Sequence, residues 1–216
     1  MLERMGEFFD NRLDGYDEHM LTNIESATEF YPYTAKLLPS TSGARVLDLG
    51  CGTGLELEEY FKLNPGARVT GIDLAPGMLD SLWRKLPDKE ISLILGSYFD
   101  VDFGKGCYDA AVSVESLHHF TKDEKIPLYK RLRESLVCGG YFILTDYFAI
   151  SDKEEREFRA ELAGMKKEQG ITDDEMYHFD TPLTVEHEIE ALMEAGFSRI
   201  EVLAHWGATY TLRAWA

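Results

Sequence analysis

The nine residues Val46 to Gly54, VLDLGCGTG, constrain this 216-residue chain more than any other stretch. Val46, Leu47 and Leu49 form a short apolar run that ends on a glycine, the pattern of a central parallel strand covered on both faces. Gly50, Gly52 and Gly54 let the backbone turn sharply out of that strand and keep Cβ atoms away from whatever lies above it. The next stretch, LELEEYFKL, has apolar residues at Leu55, Leu57, Tyr60 and Phe61. It reads as an amphipathic helix whose N-terminus points at the glycine loop. A second strand, Ala67 to Ile72, ends at Asp73, twenty-three positions after Gly50. One right-handed strand, helix, strand unit needs that spacing, and a carboxylate at this place can accept both hydroxyls of a ribose. The loop therefore predicts an adenosine-type ligand at the carboxyl end of a parallel sheet.

Which adenosine ligand follows from side-chain size and charge. A dinucleotide fingerprint needs a small residue three positions after its second glycine, so that the helix packs tightly and aims its N-terminus at a pyrophosphate. Counted from Gly50 that position is Leu55, and counted from Gly52 it is Leu57; both are too large. S-adenosylmethionine has no pyrophosphate and carries a positive sulfonium, which suits the acidic surroundings of Asp48, Glu56 and Asp73.

Four segments, VLDLGCGTG, GIDLAPGML, YDAAVSVESLHHF and LVCGGYFILTDY, resemble in order the successive motifs of the class I S-adenosylmethionine-dependent methyltransferases. The resemblance covers roughly residues 44 to 216. It implies an α/β, Rossmann-like class I methyltransferase fold: a mostly parallel seven-stranded sheet with an antiparallel C-terminal hairpin, helices on both faces and a helical lid. It also implies S-adenosylmethionine as cofactor, with S-adenosylhomocysteine as product. Carried over residue by residue, it implies cofactor contacts from the backbone of Gly50, Cys51 and Gly52, from Asp73, and from the backbone of Val114 and Glu115 at the methionine end. In such enzymes the loop after the third strand gives an acid to the adenine amino group. Here the loop reads GSYFD, so Ser97 stands at that place, Asp100 comes three residues later, and Tyr98 would lie against the adenine.

Other candidates keep two readings. Leu74 and Met78 either touch the adenine face or belong to the core. Asp48 either holds the ammonium of the methionine moiety or bonds nearby backbone amides. His118 and His119 follow the fourth strand, where catalytic groups gather on open α/β sheets; one is a candidate base and the other a structural residue. Asp146, Tyr147, His178 and Tyr16 either line an acceptor site or cap and pack.

Periodicity places strands near 45–49, 68–72, 91–95, 108–114, 140–147, 199–205 and 208–215, with helices from about 54, 76, 122 and 184. Residues 1–40 show no strand pattern but many aromatics, and read as two or three helices forming an N-terminal cap. The organisation expected is one domain, 1–216, with a cofactor-binding core over 41–147, a helical insertion or lid over 148–183, and a C-terminal helix and hairpin over 184–216.

Composition narrows the partners. With 39 acidic and 22 basic side chains the formal charge is −17, which repels a phosphate backbone. The basic clusters Lys122–Lys125, Lys130–Arg133 and Lys166–Lys167 are mixed with acids and read as solvated helix faces. The expected partner is a small-molecule methyl acceptor rather than nucleic acid or a membrane, with the chain a monomer or homodimer. Cys51, Cys107 and Cys138 are scattered without metal spacing, so no metal site or disulfide framework is expected and a reducing cytoplasm is the default. The N-terminal MLERMGEFFD lacks an apolar signal region.

Methyl transfer from a sulfonium asks mainly for proximity and alignment, so acceptor-contacting residues are free to vary and the acceptor stays undefined at this level. Two further functional classes remain open. EQGITDDEM and IEALMEAGFSRIEV are similar to enzymes that make carboxy-S-adenosylmethionine for tRNA wobble modification, although no arginine is placed for the extra carboxylate. A non-catalytic S-adenosylmethionine-binding module is the third.

Overall fold

The computed structural model describes residues 1–172 and 175–216. Three N-terminal helices, α1 (Met5–Asp10), α2 (Tyr16–Asn23) and α3 (Ala27–Leu37), precede the alternating part. There β1 (Arg45–Leu49), α4 (Leu55–Leu63), β2 (Arg68–Asp73), α5 (Pro76–Lys85), β3 (Glu90–Leu95) and β4 (Tyr108–Val114) follow one another. A single 3₁₀ turn at Leu117–His119 leads to α6 (Lys122–Ser135), β5 (Leu136–Tyr147), α7 (Asp152–Glu168) and α8 (Val185–Glu194). The chain closes with β6 (Arg199–Trp206) and β7 (Thr209–Trp215).

The seven strands make one sheet in the order β3-β2-β1-β4-β5-β7-β6. β1 pairs in parallel with β2 and β4, and β7 runs antiparallel to both β5 and β6. The order reverses beside β1, so the crevice between the ends of β1 and β4 is the place where such sheets bind ligands. Strands fall within two residues of the positions read from periodicity, except that β5 begins at Leu136 rather than near 140. Gly139 takes a left-handed φ of 79° inside the strand, and the β4–β5 register shifts between Tyr108 and Ala110.

Alternation along β1 feeds two apolar layers. Leu47 and Leu49 pack with Leu128 and Leu132 of α6 and Leu192 of α8. Val46 packs on the other face with Phe30 of α3 and with Leu57 and Tyr60 of α4. α6 and α8 are tied by a buried polar triad: Lys125 Nζ donates to Glu188 Oε2 at 2.6 Å, and the Tyr129 hydroxyl donates to Glu188 Oε1. α6 opens with a capping box between Thr121 and Glu124, and α5 has Pro76 at its first position.

The cover over the sheet end differs in one respect from the helical lid expected at 148–183. α7 turns toward α8, where its Glu155 accepts the Thr184 N–H at 2.8 Å and pairs with His187. Residues 175–181 cross the site instead. Met5 N–H donates to Met176 O at 2.9 Å and His178 N–H to Glu3 O at 3.0 Å, which stitches this stretch to the N-terminus just before α1. Part of the EQGITDDEM segment, Asp173 and Asp174, lies outside the described residues. No helix among the described residues is long and apolar enough to cross a membrane.

Candidate active site

The glycine loop leaves β1 under tight control from its neighbours. Gly50 and Cys51 donate their N–H groups to Ile72 O at the end of β2, at 2.9 and 3.1 Å. Gly50 has φ +74°, and a Cβ there would overlap the Ser116 hydroxyl and stand 2.7 Å from Ser116 Cβ. Only glycine satisfies both the backbone and the space. Above the loop lies a cleft with about 600 Å³ of empty space, open solvent included, walled by Gly50, Gly52, Asp73, Leu74 and Met78 and by Tyr98, Val114 and Glu115.

Asp73 is fixed by backbone: its Oδ2 accepts Gly52 N–H at 2.8 Å and its Oδ1 accepts Ala75 N–H at 2.9 Å. Each carboxylate oxygen has a second lone pair, so the bidentate capacity for a ribose diol survives. Burial pushes this carboxyl up from its usual range, and the backbone donors oppose that.

Period-two alternation puts Asp48 on the same face as Val46, beneath the loop and against the first turn of α4, where Glu56 sits. Both are buried, and neither Asp48 oxygen has a partner among fixed donors. Burial first and Glu56 second push the Asp48 carboxyl well up, so the two carboxyls share a proton when no other cation is near. Two buried acids under a glycine loop, next to a recess lined by Tyr16, Gly50 and Thr53, are a receptor for a positively charged group. The ammonium of S-adenosylmethionine fits that requirement, and the cleft above fits the nucleoside. Cys51 lines the same recess, but its thiol turns inward, against Gly71.

At the far end of the cleft, Leu74 and Met78 both face the cavity, and Met78 is also almost wholly buried, so its two readings hold together. Ser97 Oγ accepts the Phe99 N–H at 3.1 Å and lies 3.9 Å from Met176 Sδ. The Tyr98 hydroxyl donates to Ser116, with its ring against the cavity. Glu115 takes a left-handed φ of 49°, uncommon for a residue with a Cβ and worth about 1–3 kcal/mol of strain. That conformation aims its carboxyl between the cleft and a second cavity, where Thr209 donates to it at 3.2 Å.

The second cavity, about 1370 Å³ across its open volume, shares Phe9, Tyr16, Glu115 and His119 with the cleft. Its walls are aromatic and imidazole: Phe8 stacks on His178 at 3.5 Å between ring centroids, and His178 lies 4.8 Å from His119. His118 reaches only this chamber. Its Nδ1 sits 2.6 Å from Oδ1 of Asp146, and the other Asp146 oxygen accepts Leu117 N–H at 2.9 Å. Burial opposes a charge on His118, but Asp146 outweighs it and pushes the imidazole up to about 9. His119 is driven down by burial and by its charged neighbour, and burial takes His178 down to about 4. Asp146 thus serves as the buried orienter of His118 rather than as a wall of the chamber. Tyr147, 6.1 Å from the His118 ring, lies outside both cavities.

Periodicity gave no sign of several walls. Met5, Phe9 and Met176 close the cleft, and Asp180 stands beside both histidines, 3.2 Å from His119 Nδ1. Asp180 had a signal, since it follows two residues after the singled-out His178 in the same HFD run.

Comparison with known proteins places this geometry. Residues 46–140 match a family model described as a methyltransferase domain. The chain is 29% identical over 172 residues to the carboxy-S-adenosyl-L-methionine synthase of Chromohalobacter salexigens, covering 73% of this chain and 63% of that protein. It is 28% identical over 210 residues to a sterol 24-C-methyltransferase of Gibberella zeae, covering 93% of this chain and 47% of that protein. The chain thus spans about half to under two thirds of the length of these two relatives. Among solved structures, the Haemonchus contortus phosphoethanolamine N-methyltransferase 2 in complex with S-adenosyl-L-methionine superposes with a TM-score of 0.69 at 20% identity, over 92% of this chain and 44% of that one. Motif order, sheet order and these likenesses agree: the chain has the fold of the class I S-adenosylmethionine-dependent methyltransferases, and its residues 46–140 match a methyltransferase domain.

Proposed function

We propose that the chain transfers a methyl group from S-adenosylmethionine to a small-molecule acceptor held in the histidine-lined chamber. The observation that carries this reading is the junction: the nucleoside cleft and the chamber share Phe9, Tyr16, Glu115 and His119, so a group bound in one meets a group bound in the other. S-adenosylmethionine supplies a methyl group already activated on a sulfonium. The chain's task is then to hold, align and dehydrate the reactants. Asp73 accepts the ribose hydroxyls, and Asp48 with Glu56 receives the ammonium. Leu74, Met78 and Tyr98 sandwich the adenine, with Ser97 at its amino edge. The backbone of Gly50, Cys51, Gly52, Val114 and Glu115 follows the methionine end under Tyr16. His118 and His119 are the groups that meet the acceptor's reacting heteroatom.

A small acceptor is supported by the aromatic walls and by the −17 formal charge, which disfavours a polyanion. Three unpaired cysteines fit a reducing cytoplasm, where a monomer or homodimer would work. The test is an acceptor screen that reads S-adenosylhomocysteine formation. Acceptor-dependent product that is lost in Asp73→Ala supports the reading. Cofactor binding without turnover on any amine, hydroxyl, thiol or carbon acid would favour the binding module.

A carboxy-S-adenosylmethionine synthase is the second reading, favoured by the relative of that name. It needs a cation for the added carboxylate. Arg12, a guanidinium on the chamber wall, instead spends both terminal nitrogens on Glu3 at 3.1 and 2.8 Å. The mass of the nucleoside that co-purifies with the chain separates the two.

A further inference from the structure

We infer that His118, His119 and Asp180 form a divalent-cation site in the chamber, with an open position for the acceptor's heteroatom. The inference rests on the chamber being the acceptor site, and it specifies how the two histidines act there. Their own sequence positions say little, since adjacent histidines within a 3₁₀ turn have no ligand spacing. The fold supplies the third group from sixty residues away: the backbone of the stretch after α7 crosses the sheet end, and Thr181 N–H donates to His118 O at 2.8 Å. That bond sets Asp180 beside both rings.

Asp180 Oδ1 lies 3.2 Å from His119 Nδ1 and 3.6 Å from His118 Nε2, and one atom from each residue falls within 4.8 Å of the other two. Metal–nitrogen and metal–oxygen bonds of about 2.0–2.1 Å at tetrahedral angles put ligand atoms about 3.3 Å apart. The two carboxylate–imidazole edges already have nearly that length. Two histidines and one carboxylate leave a coordination position free, the arrangement of catalytic rather than structural metal sites.

The outer contacts of His118 match as well, whereas His119 Nδ1 also lies 3.3 Å from Phe179 O, a contact that a bound cation would replace. A metal-binding imidazole usually gives its other nitrogen to a carboxylate, which fixes the tautomer. His118 does this: Nδ1 is held by the buried Asp146 at 2.6 Å, and Nε2 is left facing the chamber. Asp146 is itself anchored by Leu117 N–H at 2.9 Å, so the ring cannot swing away. His119 lines both cavities, which sets the open position beside the cleft. A cation here would bind an acceptor hydroxyl or thiol directly and favour its deprotonated form, the proton passing to solvent through the open chamber; that anion is the better nucleophile toward the sulfonium methyl, whose C–S bond breaks to leave the neutral thioether. The acceptors this selects are hydroxyl- or thiol-bearing small molecules rather than carbon acids.

The experiment is titration of chelator-treated full-length protein with cobalt(II), read by visible absorption and by bound metal per chain, alongside a separate calorimetric titration with S-adenosylhomocysteine. One cobalt per chain with ligand-field bands is expected. Asp180→Asn and His119→Gln should each weaken it at least tenfold. Asp146→Asn, which leaves the three ligands in place, should weaken it by about 10- to 100-fold through the lost orienting contact. His187→Gln, which removes a surface histidine paired with Glu155, should leave it unchanged. Absence of stoichiometric cobalt, or cobalt binding untouched by Asp180→Asn and His119→Gln, overturns the inference. If S-adenosylhomocysteine still binds in that case, the cofactor reading stands and only the metal site falls; if neither binds, both fall.

Discussion

Gly50→Ala probes the close approach on which the whole cleft depends. Two separate costs follow from the structure. The left-handed φ of 74° is unfavourable for any residue with a Cβ, by about 1–2 kcal/mol. The new methyl also overlaps the Ser116 hydroxyl and lies 2.7 Å from Ser116 Cβ, an overpacking that costs about 1–3 kcal/mol. Gly50→Ala should therefore lose roughly 2–5 kcal/mol of unfolding free energy. The second cost disappears if Ser116 is cut back to glycine, because the next neighbour, Tyr98 Cε1 at 3.6 Å, is at ordinary contact distance. A double-mutant cycle of Gly50→Ala with Ser116→Gly, read by urea unfolding, should give a favourable coupling of about 1–3 kcal/mol, with the backbone cost remaining. A coupling within the additivity error of about 0.3–0.5 kcal/mol would refute the close approach between loop and Ser116.

Three further outcomes are expected. Asp73→Ala should weaken S-adenosylmethionine binding by roughly tenfold to 150-fold for each ribose hydrogen bond lost, since a bond to a charged group is worth about 1.5–3 kcal/mol; unchanged affinity in calorimetry would move the ribose elsewhere. Asp48 holds a proton in the folded chain that the unfolded chain has lost above about pH 4, so it lowers stability progressively as pH rises from there toward its raised pKa. Asp48→Asn should thus be more stable than the parent in urea, with a gap that is wider at about pH 8 than at about pH 5; a constant gap would show that Asp48 is not held up by burial. Lys125→Met leaves Glu188 buried without its cation and should cost about 3–5 kcal/mol, seen as a thermal midpoint lower by roughly 6–20 °C. Little change there would mean that the triad between α6 and α8 is not dry.

How much of this was legible in the sequence depended on how locally each feature is determined. The sheet could be read because each strand of the parallel half carries its own apolar run and each crossover but that from β3 to β4 its own helix, and because Asp73 sits one unit beyond Gly50. The last hairpin could be read because the turn at Gly207 leaves no room for a crossover. The start of β5 was misread because glycines that normally break a strand here sit within it, where the pairing with β4 is irregular. The residues around the glycine loop that line the cleft were legible since they belong to contiguous motifs. The chamber was legible only in part: Tyr16, His118, His119 and His178 were candidates and all four line it, but nothing in Phe9 or Asp180 alone says that α1 and the stretch beyond α7 meet there. Asp146 shows the same limit: its place at the end of β5 was visible, but its grip on His118 depends on strand register.

The most direct test of the central claim is calorimetric titration of the intact chain with S-adenosylmethionine, S-adenosylhomocysteine and NAD in parallel. The buried acids beneath the loop, the bidentate Asp73 and the large Leu55 and Leu57 predict saturable one-to-one binding of the first two and none of NAD. Binding of NAD alone would mean that the glycine loop receives a pyrophosphate despite those leucines, and would contradict the account at its root.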